Sequence, residues 1–319
     1  MTRCLLVVAG VFVASGVFAQ DYPSRQITMI VPFSGGSASD VITRIAIERM
    51  AASIGQRFVV DNRPAAGGNL GTMAVVKATP DGYTLGMSTS GPLAANKTLY
   101  SNLGYDPERD VQPISLYASL PNVVVVSARL PVQTIGELID YVKTNPNVPY
   151  GSVGNGSTQH LAGAFFEQLI GAQMTHVPYR VTANLVTDLV SGQAPVSFQL
   201  LPNVRGQIKA GQVRALIVAS DKRLAALPDV PTAAEAGIKG YVSAAWFAFI
   251  APRGTPRPLV DKIYREVAAA MSDASVRTRF IDFGAEPLAS TPDELGKHIA
   301  SEVVKWREII TKGGITIDP

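Results

Sequence analysis

Residues 150–160 read YGSVGNGSTQH. Val148, Tyr150 and Val153 form a short strand-like entry, a Gly/Ser/Asn run breaks it, and a helix follows at once. Leu161, Ala162, Phe165, Phe166, Leu169 and Ile170 recur at the spacing of one helical face, and Gly171 supplies the stop. Such a loop gathers backbone N–H groups and small hydroxyls at a helix N-terminus, where orphan donors and the dipole favour an anion. Residues 31–40, VPFSGGSASD, repeat the design. Ile27–Val31 reads as a buried strand, Ser37 or Ser39 as the cap, and Val41, Ile42, Ile45, Ala46 and Met50 as the helix that Gly55 ends. Each loop alone could be no more than a tight turn with its capping serine. The pair predicts two loops facing across a cleft and holding a small carboxylate, because ligands of open α/β sheets bind at the carboxyl ends of strands.

Outward from these loops, strands and helices alternate. Residues 57–60 and 83–87 read as strands, with turn-rich segments at 62–71 and 80–82 between them. The run VVVV at 123–126 is too apolar for an edge, and Thr134 to Glu137 has the capping-box form. Strands at 176–180, 196–200 and 213–220 alternate with helices through Leu185, Leu189 and Val190, and to Gly211. The pattern predicts an α/β protein with a largely parallel sheet. The last third offers one strand (241–251) and two long helices, opened by Thr255-Pro256 and by Thr291-Pro292. That is too little sheet to stand alone, so it should return to the first unit. The expected organisation is an export signal at 1–19, one lobe from 20–122 plus 241–319, and a second lobe at 123–240. Two crossings between lobes suit hinge closure on a ligand.

Arg3 precedes an apolar run from Leu5 to Phe18, and Val17-Phe18-Ala19 has the form of a signal-peptidase site. The run is short of the roughly 20 apolar residues of a membrane span. Cleavage after Ala19 would remove Cys4, the only cysteine, which suits a periplasmic protein stable without disulfides. The 319 residues are 47% hydrophobic and 17% charged, with a net charge of +3. Basic residues are not clustered with aromatics, so no nucleic acid is expected as a partner. The protein is expected to work as a monomer.

The three histidines, His160, His176 and His298, are too scattered for a metal site. Nucleotide-loop, nucleophile-elbow and zinc-protease patterns do not occur, so no cofactor, metal or catalytic residue is expected. Neither loop carries Lys or Arg before its helix, so an anion would be held by dipoles, hydroxyls and bridging waters. Asp40, in a helix first turn, should orient loop N–H groups or a water, or serve only as a helix-terminal charge. Arg180 is the candidate for a direct cationic contact, against an ordinary surface salt bridge.

Several ordered motifs go further: VPFSGGSASD, VDNRPAAGGNLG (60–71), ATPDGYTLG (78–86), YGSVGNGSTQHLAG, HVPYR, LPDVPTAAEAG (227–237) and APRGTP (251–256). Together they resemble the Bug/TctC family, the extracytoplasmic solute receptors of tripartite tricarboxylate transporters, over essentially the whole mature chain. The resemblance implies a type II periplasmic-binding-protein fold and a carboxylated ligand. It implies a grip by Phe33, Ser34, Gly35, Ser37, Ser39 and Asp40 on one side and Gly154, Asn155, Gly156, Ser157, Thr158 and His160 on the other. Ser88 and Thr89, with Ser90, end a strand where the distal end of the ligand would lie. Two departures bear on the fit: the first loop reads SGGSASD where the family often places its Gly pair one position later before x-Thr-Asp, and Val181 stands where Gly usually follows HVPYR.

The resulting expectation is a periplasmic solute-binding protein that captures a carboxylate, by preference an aliphatic or aromatic (phthalate-type) dicarboxylate. Its partners would be the membrane subunits of a transporter or a sensor protein. An exported α/β enzyme is the alternative, and an effector domain of a regulator is a third reading that the signal peptide opposes.

Overall fold

The structure is a computed structural model describing residues 22–317, and the expected signal at 1–19 lies outside the described residues. Strands β1 (Ile27–Val31), β2 (Phe58–Asn62) and β3 (Thr84–Thr89) alternate with helices α1 (Ala38–Ile54) and α2 (Asn69–Val76). A π-helical turn, Gly91–Ala95, leads into the short α3 (Asn96–Leu99). Next come β4 (Val111–Ser127), α4 (Ile135–Thr144), β5 (Pro149–Ser152), α5 (Thr158–Ile170) and β6 (Thr175–Pro178). They are followed by α6 (Thr182–Ser191), β7 (Val196–Leu200), α7 (Leu201–Lys209) and β8 (Val213–Val218). The last elements are β9 (Ala244–Pro252), α8 (Arg257–Ser272), α9 (Ala274–Asp282), β10 (Glu286–Pro287) and α10 (Pro292–Gly313).

The strands run in the order β2-β1-β3-β9-β4-β7-β5-β6, with β8 and β10 also on β4. β1 is parallel to β2 and β3, and β5 to β6 and β7. The sheet is nonetheless mixed rather than largely parallel, because β9 runs antiparallel to both β3 and β4. The cause is β4, a single strand of 17 residues that serves both ends of the sheet. Its Val111–Pro121 portion pairs with β9, and Asn122 onward pairs with β7 and β8. Within β4, Pro113 sits at a register shift and Pro121 opposite the first residue of β9, positions that spare a central ladder.

β9 alternates strictly. Phe247 and Phe249 pack with Ile42, Ile45, Met50, Val260 and Ile263 on one face. Trp246, Ala248 and Ile250 meet Leu295, Ile299 and Trp306 of α10 on the other. The period-2 pattern of a strand buried on both faces thus brings the C-terminal helices onto the β1–β3 end. At the other end Val124, Tyr150, Phe166, Phe198 and Tyr241 form a separate core. One local reading changes: the cap residue of α8 is Pro256, while Thr255 donates its hydroxyl to the Pro252 carbonyl at 2.8 Å.

Candidate functional site

The loops after β1 and β5 have one geometry. Ser37 and Ser157 are the N-caps of α1 and α5, and each accepts from the N–H three residues on, Asp40 at 3.4 Å and His160 at 3.3 Å. Each cap follows a left-handed glycine, Gly36 at φ +76° and Gly156 at φ +75°. The remaining first-turn donors decide what the site can hold. The Ala38 N–H donates to Oδ1 of Asn203 at 2.7 Å. The N–H groups of Ser39, Thr158 and Gln159 have no partner among the described residues. The same three residues, with Ser37, Phe33, Thr89, Val153, Asn203 and Phe247, line a cavity of about 10 Å³. That is room for about one water molecule. Two helix N-termini converge there, and no Lys or Arg is among its lining residues.

Behind the first loop, Asp40 is buried and organises the backbone. It accepts from the Gly36 N–H at 2.9 Å, from Arg44 Nε at 2.9 Å and from Asn62 Nδ2 at 3.0 Å. Burial alone would raise its pKa, but the Arg44, Gly36 and Asn62 bonds outweigh that and hold the carboxyl below its ordinary value. Asp40 thus accepts a loop N–H as well as standing in the first turn of α1. Behind the second loop, His160 Nδ1 accepts from the Gly156 N–H at 3.2 Å, and its ring stacks on His176 at 4.2 Å. His176 Nε2 lies 2.6 Å from Ser152 Oγ, which accepts from the Gly154 N–H at 3.1 Å. Burial, and then the adjacent His160, push His176 down to about 3.

Each loop meets the opposite side of the cleft, the first at the start of α6 and the second at Gly67, Gly91 and Tyr100. Ser34 Oγ lies 3.1 Å from Thr182 Oγ1 and accepts from the Thr182 N–H at 3.2 Å. Tyr100 donates its hydroxyl to the Asn155 carbonyl at 2.9 Å. The backbones meet at glycines: a Cβ on Gly67 would lie 2.1 Å from the Asn155 carbonyl oxygen, and one on Gly91 2.3 Å from that of Gly156. Outside this seam, a cavity of about 890 Å³ is lined by Ala66, Tyr100, Val153, Gly154, Asn155, Tyr179 and Arg180. Arg180 is exposed, and its Nε donates to the Pro64 carbonyl at 3.1 Å.

The candidate residues therefore separate by place. Phe33, Ser37, Ser39, Thr89 and Thr158 line the inner cavity. Gly154, Asn155 and Arg180 line the outer one. Ser34 joins the seam, while Gly35 is exposed beside Asn62. Asp40, Gly156, Ser157 and His160 shape the loops from behind. Ser88 turns away from the cleft to meet Thr72 Oγ1 at 2.7 Å. Sequence reasoning missed Gln159, Thr182 and Asn203. The signal for Asn203 was present: it follows Pro202 in a helix first turn at the carboxyl end of β7, where the same strand-end rule applies.

Among the described residues no group of three or more His, Cys, Asp or Glu side chains is placed to hold a metal ion, and no helix is long and apolar enough to cross a membrane. The fold and site define an α/β protein in which two helix N-termini meet at one cavity between the two sides. Comparison with known proteins narrows the class. The family profile "Tripartite tricarboxylate transporter family receptor" matches residues 42–315, and the chain belongs to that family. It is 36% identical to Protein BugT of Bordetella pertussis over 321 residues, covering 98% of each chain. Among solved structures it is similar to the periplasmic binding protein BugD, with a TM-score of 0.89 and 34% identity over 92% of this chain and 99% of that one. It is also similar to R. palustris Rpa4515 with adipate, with a TM-score of 0.90 and 36% identity over 93% of this chain and 99% of that one. The fold is thus that of the Bug/TctC periplasmic binding proteins, and the family is one of solute receptors.

Proposed function

We propose that the protein is a periplasmic receptor that closes on a small dicarboxylate and delivers it to the membrane subunits of a tripartite tricarboxylate transporter. The moving bodies in this reading are residues 20–122 with 241–319 and residues 123–240, hinged where β4 and the segment before β9 cross. The observation that carries the reading is that first-turn residues of two helices, Ser39 of α1 and Thr158 and Gln159 of α5, line one cavity without a lining cation, their N–H groups unpartnered among the described residues. Oriented dipoles of that kind favour an anion; the cavity as closed here has room for one bridging water, so in this reading the two sides part slightly to admit a carboxylate. Val153 belongs to the walls of both cavities. A ligand with one carboxylate inside would extend past Val153 towards Arg180, the one cationic lining residue of the outer cavity, which favours a second carboxylate at its far end. The adipate bound by Rpa4515 has such a form.

The test is a thermal-shift and calorimetric screen of the purified mature protein against succinate, adipate, malate, citrate, phthalate and benzoate. A ligand at 100 times its Kd adds about 2.7 kcal/mol to stability, a clear rise in melting temperature. Dicarboxylates should shift the transition more than monocarboxylates. No shift with any of the six would sink the reading.

A further inference from the structure

A buried chain of side-chain amides joins the two sides of the cleft. Asn203, at the start of α7, accepts the Ala38 N–H through Oδ1 at 2.7 Å and donates Nδ2 to Gln199 Oε1 at 2.8 Å. Gln199 Nε2 donates to Ser197 Oγ at 2.8 Å, and Ser197 donates its hydroxyl to the Gly151 carbonyl at 2.5 Å. Gln199 and Ser197 are fully buried, and Asn203 is 9% exposed. The chain therefore runs from the first turn of α1, across the floor of the cavity, to the strand that feeds the second anion loop. Each amide uses its carbonyl as acceptor and its NH₂ as donor, so the chain has one consistent direction.

We propose that Asn203 is the closure residue of the cleft: its amide captures the Ala38 N–H when the two sides meet, and Gln199 and Ser197 pass that contact to β5. The proposal rests on the receptor reading in that closure accompanies ligand capture. Ala38 begins α1 on the β1–β3 end and Asn203 lies in the first turn of α7 after β7, so the bond spans the two sides in the arrangement seen here, and the proposal is that it is made on closure. It also assigns the helix donors of α1: Ala38 goes to the protein, and Ser39 is left for the ligand. An opened cleft would hand the Ala38 donor and the Asn203 acceptor back to water. A closed cleft without the amide would bury the Ala38 N–H unpaired, a costly state.

Two kinds of measurement test it. Residue-resolved amide exchange, run without and with saturating adipate, reads the latch in the closed form. Ala38 exchange should quicken by about 10- to 100-fold in Asn203→Leu, and protection should return in Asn203→Asp, which keeps the acceptor. Stopped-flow binding with adipate as probe should show faster release and an unchanged association rate in Asn203→Leu. Gln199→Met, which removes the relay but lies outside the cavity wall, should release adipate faster too, and the double variant should be no faster than the worse single variant. Equal Ala38 exchange in adipate-saturated wild type and Asn203→Leu, or wild-type release from Gln199→Met, would overturn the proposal. Failure of adipate to bind the wild type would strike the receptor reading instead and leave the exchange result without adipate standing. Circular dichroism confirms that each variant is folded.

Discussion

Gly156 donates its backbone N–H to Nδ1 of His160 at 3.2 Å, so the imidazole lies beneath the anion loop and not in the cleft. The bond requires an unprotonated Nδ1 and a left-handed residue at 156, and it fixes the peptide just before Thr158 and Gln159, which line the inner cavity. His160 is thus a positioning residue for the loop, aided by its stack on His176.

The substitution pair His160→Asn and His160→Leu follows from that geometry. Asparagine can place an acceptor near the position of Nδ1, whereas leucine cannot. Adipate affinity should fall by about tenfold or more in His160→Leu, the loss expected for a buried donor left unpaired. His160→Asn should stay within about threefold of wild type on the same scale. Calorimetry checks both, and the ¹⁵N shift of the Gly156 amide should move in the leucine variant alone. Equal losses in the two variants would place the ring against the ligand instead.

Gly91→Ala tests closure by bulk. The new Cβ would meet the Gly156 carbonyl oxygen at 2.3 Å, and Gly91 has no left-handed φ to confound the result. The seam, not the fold of either side, takes the clash. Adipate affinity should drop by at least about tenfold because the closed form becomes scarce. Small-angle scattering in saturating adipate should report a larger radius of gyration than wild type. Unchanged affinity would mean that the glycine contact is not needed for binding.

The capped loops and their helices were readable because each depends on neighbours in sequence: Ser37 and Ser157 cap helices that Gly55 and Gly171 end. What escaped depends on distant partners. β4 serves both ends of the sheet because of pairing with β9 and β7, which Pro113 and Pro121 disguise locally. The π-helical turn at Gly91–Ala95 has no local signature and places Gly91 against a loop 65 residues away in sequence, roughly a matter of tertiary fit. Asn203 and His160 acquire their roles only from Ala38 and His176, which folding brings to them.

Asp40→Asn separates loop architecture from charge. Asn cannot accept from Gly36 N–H and Arg44 Nε on the same atom if its NH₂ faces them, and turning it leaves Asn62 Nδ2 opposed by donors. The variant should lose about 1–3 kcal/mol of stability in chemical denaturation, the cost of a buried donor without its acceptor. Adipate binding should weaken with it, because Gly36 adjoins the Ser37 cap. Wild-type stability would make Asp40 a passive helix-terminal charge after all.

Acid should reveal two separate groups. His176 is held down to about 3, below the ordinary histidine value of 6.5 that it regains on unfolding. Between those values the unfolded chain binds a proton that the folded protein refuses, so stability from this group falls as pH drops from about 6.5, by at most about 1.4 kcal/mol per pH unit. Asp40 acts lower: its depressed pKa contributes stability that is full above the ordinary aspartate value and lost as pH falls through the folded one. Denaturant titrations at pH 7, 6, 5 and 4 should therefore show a decline in wild type that begins near 6.5. His176→Phe keeps a ring against His160 and Tyr150 but has no proton to bind, so its decline over pH 6.5 to 4.5 should be shallower by up to one proton. An identical slope in the two proteins would show that His176 titrates normally in the folded state and that burial does not hold its ring neutral.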